Sequence, residues 1–102
     1  MICTLTARRV KAGAGDEFRS AFEAAVAELP ADVNRRWTRV YVCRDVTDED
    51  VVLTFGSFDG RLDELGAVQE RVGRDTLVER LAPDVDDVLL DGSYEVINEI
   101  AP

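Results

Sequence analysis

The side chains best suited to chemistry are aromatic, basic and hydroxyl groups that alternate along β-rich runs of the chain. Alternate residues of a strand share a face, so Trp37, Arg39 and Tyr41 are predicted to lie together. Two aromatic rings beside a guanidinium can bind a planar, phenolic or anionic ring by stacking and hydrogen bonding. The same side chains can also fill a core or a subunit interface. Both interpretations of this strand remain open.

Two further strand faces carry polar groups. Thr4 and Thr6 alternate near the start of the chain, and Tyr94, Val96 and Asn98 alternate near its end. A hydroxyl or an amide there could hydrogen-bond a ligand oxygen, or be satisfied by the backbone. The predicted substrate-binding set is Trp37, Arg39, Tyr41, Tyr94, Asn98 and Thr6. No catalytic residue is assigned.

The chain contains no histidine, which is the usual general base, the commonest metal ligand and a common haem ligand. Its two cysteines, Cys3 and Cys43, lie in β-rich runs outside any CxxC spacing and are predicted to be buried, unpaired thiols. Carboxylate pairs such as Asp86 and Asp87 are typical of turns and solubilising charge. We therefore expect no metal and no cofactor.

Length and charge bound the remaining functions. The 102 residues are predicted to form one domain, residues 1–102. Twenty-one acidic against twelve basic residues give a net charge of -9, which repels nucleic acid and anionic membranes. There is neither an apolar run of about 18 residues nor a signal-like opening. The sequence thus predicts a cytoplasmic protein with no nucleic-acid or membrane partner.

Hydrophobic periodicity predicts the elements that position these residues. A strand over 2–10 ends at a glycine turn, and an amphipathic helix follows from Asp16 to before Pro30. Runs over 37–46 and 51–58 form a β-hairpin in which neither strand has a polar face.

A second helix is predicted over 62–72, with Asp59 as its cap; it resumes over 76–81 after a glycine and closes at Pro83. The acidic piece over 84–90 is predicted to add a helical turn or two, and the last strand to begin near Ser93 and run over 94–100.

This order predicts a ferredoxin-like α+β fold: a βαββαβ chain with a four-stranded antiparallel sheet in the order 4-1-3-2 and both helices on one face. The bare face must be covered, which a two-fold pairing of sheets in a homodimer achieves. In this topology the first and second strands are not neighbours, so the two cysteines should be too far apart to bridge.

Four segments resemble the antibiotic biosynthesis monooxygenase family over nearly the whole chain. They are the opening strand into its glycine turn and helix (5–13, then Glu17 and Phe18), the hairpin (39–45 and 52–58), the helix after it, and the closing 91–96. The resemblance implies a dimeric α+β barrel whose subunits each hold a pocket between sheet and helices. Family members line it with an asparagine on the first strand, a tryptophan on the third and, in haem-degrading members, a histidine on the second helix. These positions fall near Thr6 and Gly56, and the histidine has no counterpart, which argues against haem degradation.

The resemblance implies a cofactor-independent monooxygenase acting on a phenolic, quinol or polyketide-like aromatic molecule. Two alternatives stay open, a polyketide cyclase and a non-catalytic binding or regulatory dimer. A cavity of about 300 Å³ or more between sheet and helices would favour a protein that uses a ligand, and a filled core a structural one. The space at Gly56 should be refilled by a neighbouring aromatic ring or remain a cavity, and in the second case Arg39 and Tyr41 are expected among its polar contacts.

Overall fold

A computed structural model describes the backbone of residues 1–102 and the side chains of residues 1–73 and 77–102. Four strands and four helices follow one another along the chain. They are β1 (Ile2–Val10), α1 (Gly15–Ala27), α2 (Ala31–Asn34), β2 (Trp37–Arg44), β3 (Val51–Phe58), α3 (Leu62–Val72), α4 (Arg74–Leu81) and β4 (Val85–Glu95), with a 3-10 helix at Ala82–Asp84 before β4. Both predicted helices and the hairpin are confirmed, and the short α2 is an addition.

The strands form one antiparallel sheet in the order β2-β3-β1-β4, which is the predicted order. Along β3 the residues alternate strictly between half-buried and buried. Val52 and Phe58 on the buried face pack with residues of the helices, whereas Leu53 and Phe55 point to the other side. The helices therefore cover one face, as the sequence predicts for this α+β fold.

The core consists of two separate clusters at opposite ends of the sheet. One is formed by Val10 and Val52 with Phe18 of α1 and Leu81 of α4. The other is formed by Ile2, Phe58 and Leu65, with partly buried Trp37 and Val68 packed against it. In the middle of the sheet, between the clusters, Thr4, Thr6 and Thr54 belong to neither.

The hinge between α3 and α4 is Gly73, whose φ of 74° lies in the left-handed region that favours glycine. Its amide donates to the carbonyl of Gln69, so α3 ends there and α4 begins at the next residue. The N-cap of α3 is Arg61 and not Asp59. The Glu64 carboxylate instead accepts a 3.1 Å bond from the Arg61 amide, while the Asp59 amide donates to the carbonyl of Arg36.

The last strand differs from the prediction. Residues 85–90 belong to β4 and are not helical, and β4 ends at Glu95 instead of continuing to residue 100. The cause is pairing: β4 follows β1 along its whole length, and two register shifts fit its 11 residues against the nine of β1. The Val96 amide makes the last contact, to the carbonyl of Met1, beyond which β1 offers no further partner.

The strand order places β3 between Cys3 on β1 and Cys43 on β2, so the expected separation of the thiols is confirmed. The expected burial is wrong for Cys43, which is exposed, while Cys3 is half-buried. Cys43 pairs with Leu53 on the face that the helices leave uncovered, which explains its exposure in a single chain. Over the described residues, no helix is long and apolar enough to cross a membrane.

Candidate functional site

A cavity of about 490 Å³ lies between the sheet and the helices, between the two core clusters. This exceeds the size set above for a protein that uses a ligand. Its floor is the middle of the sheet, and its ceiling is formed by α1, the short α2, α3 and α4. The cavity therefore lies where the resemblance to monooxygenases implies a pocket.

The floor is polar because two successive rows of the sheet carry hydroxyl and carboxylate groups. In one row Thr6 lies between Thr54 of β3 and Asp91 of β4. In the next row Thr4 lies between Gly56 and Ser93. The threonines fall in β-strands at spacing two, so they share the helix-facing side. Aliphatic side chains at these positions would join the two core clusters, and the hydroxyls keep them apart.

Two charged side chains are hydrogen-bonded to the floor hydroxyls. Arg8 donates from Nη1 to Oγ1 of Thr54 over 3.0 Å, and its guanidinium lies 5.3 Å from the centre of the Phe18 ring. Thr6 donates from Oγ1 to a carboxylate oxygen of Asp91 over 3.2 Å. Thr54 is only 7% exposed, so its hydroxyl needs such a partner. The floor thus contains a guanidinium and a carboxylate, and each of them is hydrogen-bonded to a threonine hydroxyl.

The ceiling is mostly aliphatic, with two amides. Its apolar residues are Phe22, Val26, Leu29, Val33, Val68, Val72, Leu77, Val78 and Leu81. The Asn34 amide nitrogen donates to the carbonyl of Val26 over 3.1 Å, which holds α2 against the end of α1. Gln69 brings the second amide. An apolar lining with few polar groups is typical of sites that bind small organic molecules.

The indole of Trp37 closes one end of the cavity and occupies the space above Gly56. A methyl group added at Gly56 would lie 2.8 Å from Cζ3 and 2.9 Å from Cε3 of this indole. The ring is also held edge-on against Phe58, with centroids 5.2 Å apart. Trp37 was among the candidates to refill this space, and it does so while the cavity remains.

A bulge in β2 overturns the predicted grouping of Trp37 with Arg39 and Tyr41. Trp37 pairs with Phe58, but Arg39 already pairs with Ser57, so one extra residue is inserted between them. Such an insertion reverses the side on which the following residues point. Trp37 therefore lines the cavity, while Arg39 and Tyr41 lie on the opposite face and are not among its lining residues.

The remaining predicted residues are also divided. Thr6 lies on the cavity floor. Tyr94 pairs with Cys3 on the uncovered face, and its ring lies over Gly92, where an added methyl group would come within 2.5 Å of the Tyr94 hydroxyl. Asn98 is exposed in the segment after β4. Only Trp37 and Thr6 of the predicted set are thus brought together at the cavity.

Sequence reasoning missed Arg8, Thr54 and Asp91. The signal for Arg8 was present, since it continues the alternation of Thr4 and Thr6 along β1. In a chain with 21 acidic residues, surface ion pairs are the default interpretation of an arginine. Asp91 stands before Gly92, a pair that is typical of turns, whereas it pairs with Thr6 within β4.

Ion pairs elsewhere act on the framework of the site. Arg36 lies 4.9 Å above the ring of Phe58 and donates to Glu64 over 2.6 Å. This bond, together with the Arg61 amide, lowers the pKa of Glu64. Among the side chains that the structure describes, no group of three or more histidine, cysteine, aspartate and glutamate residues could hold a metal ion.

The other face of the sheet is apolar and uncovered in a single chain. Tyr41 packs against Phe55, with centroids 6.3 Å apart, and is 47% exposed. Leu90 and Tyr94 on the same face are 47% and 48% exposed. This is the face that the sequence predicts a second subunit would cover.

The fold is shared with solved structures of similar length. A protein of Deinococcus radiodurans, provisionally named an antibiotic biosynthesis monooxygenase, superposes with a TM-score of 0.75 at 16% identity, covering 100% of this chain and 98% of that one. One of Caulobacter crescentus with the same provisional name gives a TM-score of 0.76 at 14% identity, covering 95% and 90%.

A dimeric ferredoxin-like protein from an uncultured marine organism gives a TM-score of 0.66 at 11% identity, covering 99% of this chain and 91% of that one. No protein-family model matches the chain, and no curated protein is similar enough to match it. The resemblance drawn from the sequence is confirmed as a likeness of fold.

Proposed function

We propose that this protein is a cofactor-independent monooxygenase that acts on a small phenolic or quinol-like aromatic molecule. The observation that carries the proposal is the cavity of about 490 Å³, with its aliphatic ceiling, polar floor and indole end wall. Solved structures with this fold and the provisional name of such monooxygenases support it.

The polar floor distinguishes this cavity from a packing defect. Burying a hydroxyl without a partner costs about 1 to 3 kcal/mol in proteins, and an empty structural void would be lined by apolar groups. Here Thr4, Thr6 and Thr54 all face the cavity, and Arg8 and Asp91 add charges of both signs. An aromatic ligand with a few oxygens would place its ring against the aliphatic ceiling and its oxygens against the polar floor.

In the proposed reaction the substrate supplies the reducing electrons. A phenol that loses its proton becomes an electron-rich anion that can reduce dioxygen, and phenol plus dioxygen balances as quinone plus water. The protein would hold the ring in a dry, oriented state and stabilise the phenolate. Arg8 and Thr54 are the nearest source of such stabilisation on the floor, and Trp37 offers a ring to stack on.

The proposal includes a cytoplasmic homodimer. Pairing of two uncovered sheet faces would bury Phe55, Tyr41, Leu90 and their neighbours, which would otherwise form an exposed apolar patch. The dimeric ferredoxin-like protein with this fold supports it. Sedimentation should give twice the chain mass of 11.3 kDa at micromolar concentration, and a monomer would contradict the pairing.

Oxygen uptake with a panel of phenols, quinols and polyketide-like aromatics tests the activity. We expect uptake with at least one of them in metal-free buffer, with a quinone as product. Val26→Trp, which places a large ring in the cavity, should abolish uptake, while Ala24→Trp on the exposed side of α1 should retain it. Binding of a panel member without any uptake would favour the non-catalytic binding protein, and cyclisation of a polyketide chain would favour the cyclase.

A further inference from the structure

The two threonines in the middle of the cavity floor are directly opposite each other and have opposite hydrogen-bonding polarity. Thr6 and Thr54 are paired across β1 and β3. Thr6 donates its hydroxyl hydrogen to Asp91, so towards the cavity its oxygen can act only as an acceptor. Thr54 accepts from Arg8, and its own hydroxyl hydrogen stays available to a ligand oxygen.

The charges fix these polarities. An ionised carboxylate can only accept hydrogen bonds and a guanidinium can only donate them. In these two bonds Thr6 is therefore the donor to Asp91, and Thr54 is the acceptor from Arg8. Hydrogen bonds to charged groups are also about twice as strong as neutral ones. The pair is thus a fixed acceptor beside a fixed donor.

The spacing of the pair is set by the sheet. Side chains directly opposite on antiparallel strands have Cβ atoms about 5 Å apart. Two oxygens on adjacent ring carbons are much closer than this, and two on opposite carbons are farther apart and point in opposite directions. Oxygens in the meta relation point to the same side of a ring at about one strand spacing.

We propose that Thr6 and Thr54 recognise two meta oxygens of an aromatic ring, one donating to Thr6 and one accepting from Thr54. This rests on the proposed use of the cavity as the binding site and narrows its ligand to a meta-dioxygenated ring. Arg8 and Asp91 hold the two hydroxyls in these orientations and also line the cavity themselves. A phenolate oxygen would take the place next to Thr54, on the side of the cation.

Anaerobic calorimetry with dihydroxynaphthalenes tests the proposal without turnover. The isomers whose hydroxyls are ortho, meta or para on one ring have the same composition and differ only in oxygen spacing. We expect the meta isomer to bind about tenfold more tightly than the others, the value of one well-placed hydrogen bond. Equal binding of the three isomers would refute the recognition while leaving the cavity and the monooxygenase proposal standing. No binding by any isomer would contradict both.

Variants of the two threonines show which ligand oxygen each of them binds. Thr6→Val and Thr54→Val keep the side-chain shape and remove one hydroxyl, and each should remove most of the preference for the meta isomer. Thr47→Val makes the same change in the exposed turn between β2 and β3, outside the cavity, and should retain it. Methylation of both hydroxyls of the meta isomer leaves no hydrogen to donate to Thr6 and should weaken binding to the native protein about tenfold. The same methylation should have little effect in Thr6→Val, and an undiminished effect there would overturn the assignment.

Discussion

Substitution of Gly56 by alanine should destabilise this protein, although alanine usually stabilises a strand relative to glycine. The added methyl would lie 2.8 Å from Cζ3 of Trp37 and 3.1 Å from Oγ1 of Thr4, and the first distance is too short for carbon atoms. The indole cannot simply move away, because Phe58 packs against it from the side.

The magnitude follows from two opposing terms. Overpacking a well-packed site costs about 1 to 3 kcal/mol. Reduced freedom of the unfolded chain returns about 0.4 to 1 kcal/mol, since the backbone of Gly56 does not have positive φ. We expect a net loss of about 1 to 2 kcal/mol, which would lower the melting temperature by roughly 4 to 16 °C for a domain of this size.

Denaturant unfolding followed by fluorescence is the assay, because Trp37 is the single tryptophan. Gly66→Ala is the matched control: an added methyl there contacts nothing within 4 Å on α3, so it should stabilise by about 0.5 to 1 kcal/mol. In a Trp37→Phe background, whose unfolding is followed by circular dichroism because the tryptophan is gone, the cost at Gly56 should largely disappear. A Gly56→Ala variant as stable as the native chain, with unchanged emission, would refute the packing of indole on glycine.

Three further outcomes are expected. The pKa of Glu64 is lowered chiefly by its hydrogen bond from Arg36. The ionised carboxylate therefore stabilises the fold fully above pH 4.5, its ordinary pKa, and this stability is lost as the pH falls through the lowered pKa. Acid titration of Glu64→Gln should show a shallower loss of stability than that of the native chain. Cys43 lies on the proposed dimer face, so it should react slowly with a thiol reagent in the native dimer and rapidly in a monomeric variant, and equal rates would argue against burial of that face. Leu65→Ala should cost about 2 to 5 kcal/mol in chemical denaturation because the residue is 1% exposed, whereas Leu62→Ala, at 68% exposed, should change stability by less than about 0.5 kcal/mol.

The periodic parts of the sequence predicted the fold well, and the local irregularities did not. The hydrophobic pattern of β3 gave its bounds and the glycine at position 73 marked the break between two helices. The strand β4 was not predicted over 85–90 because acidic residues there are more typical of loops and helix ends. An edge strand tolerates such carboxylates because one of its sides is open to solvent. The length of β4 is set by its pairing with the free edge of β1, which is a tertiary contact and leaves no local pattern in the sequence.

The site was predicted in part for a related reason. Alternation correctly put Thr4 and Thr6 on one face of β1, but the same rule failed on β2, where one inserted residue at Thr38 reverses the alternation. No residue type in this stretch announces a bulge, so the sequence grouped Trp37 with Arg39. The consequence is chemical as well as geometric, because the cavity cation is Arg8 from β1 and not Arg39.

The position of the polar rows explains how one small sheet can both fold and hold a ligand. The two ends of the sheet, with Ile2 and Phe58 at one end and Val10 and Val52 at the other, pack the helices. In the middle rows the threonines of β1 and β3 take no part in that packing, because the clusters on either side already hold α1, α3 and α4. Substitutions in the middle rows such as Thr6→Val should therefore change ligand preference with little loss of stability, and those in the terminal rows should do the reverse. Thr6→Val removes one hydrogen bond to Asp91, whose exposed carboxylate can bind water instead. Stability close to the native value together with lost preference would be the signature of a floor kept polar for its ligand.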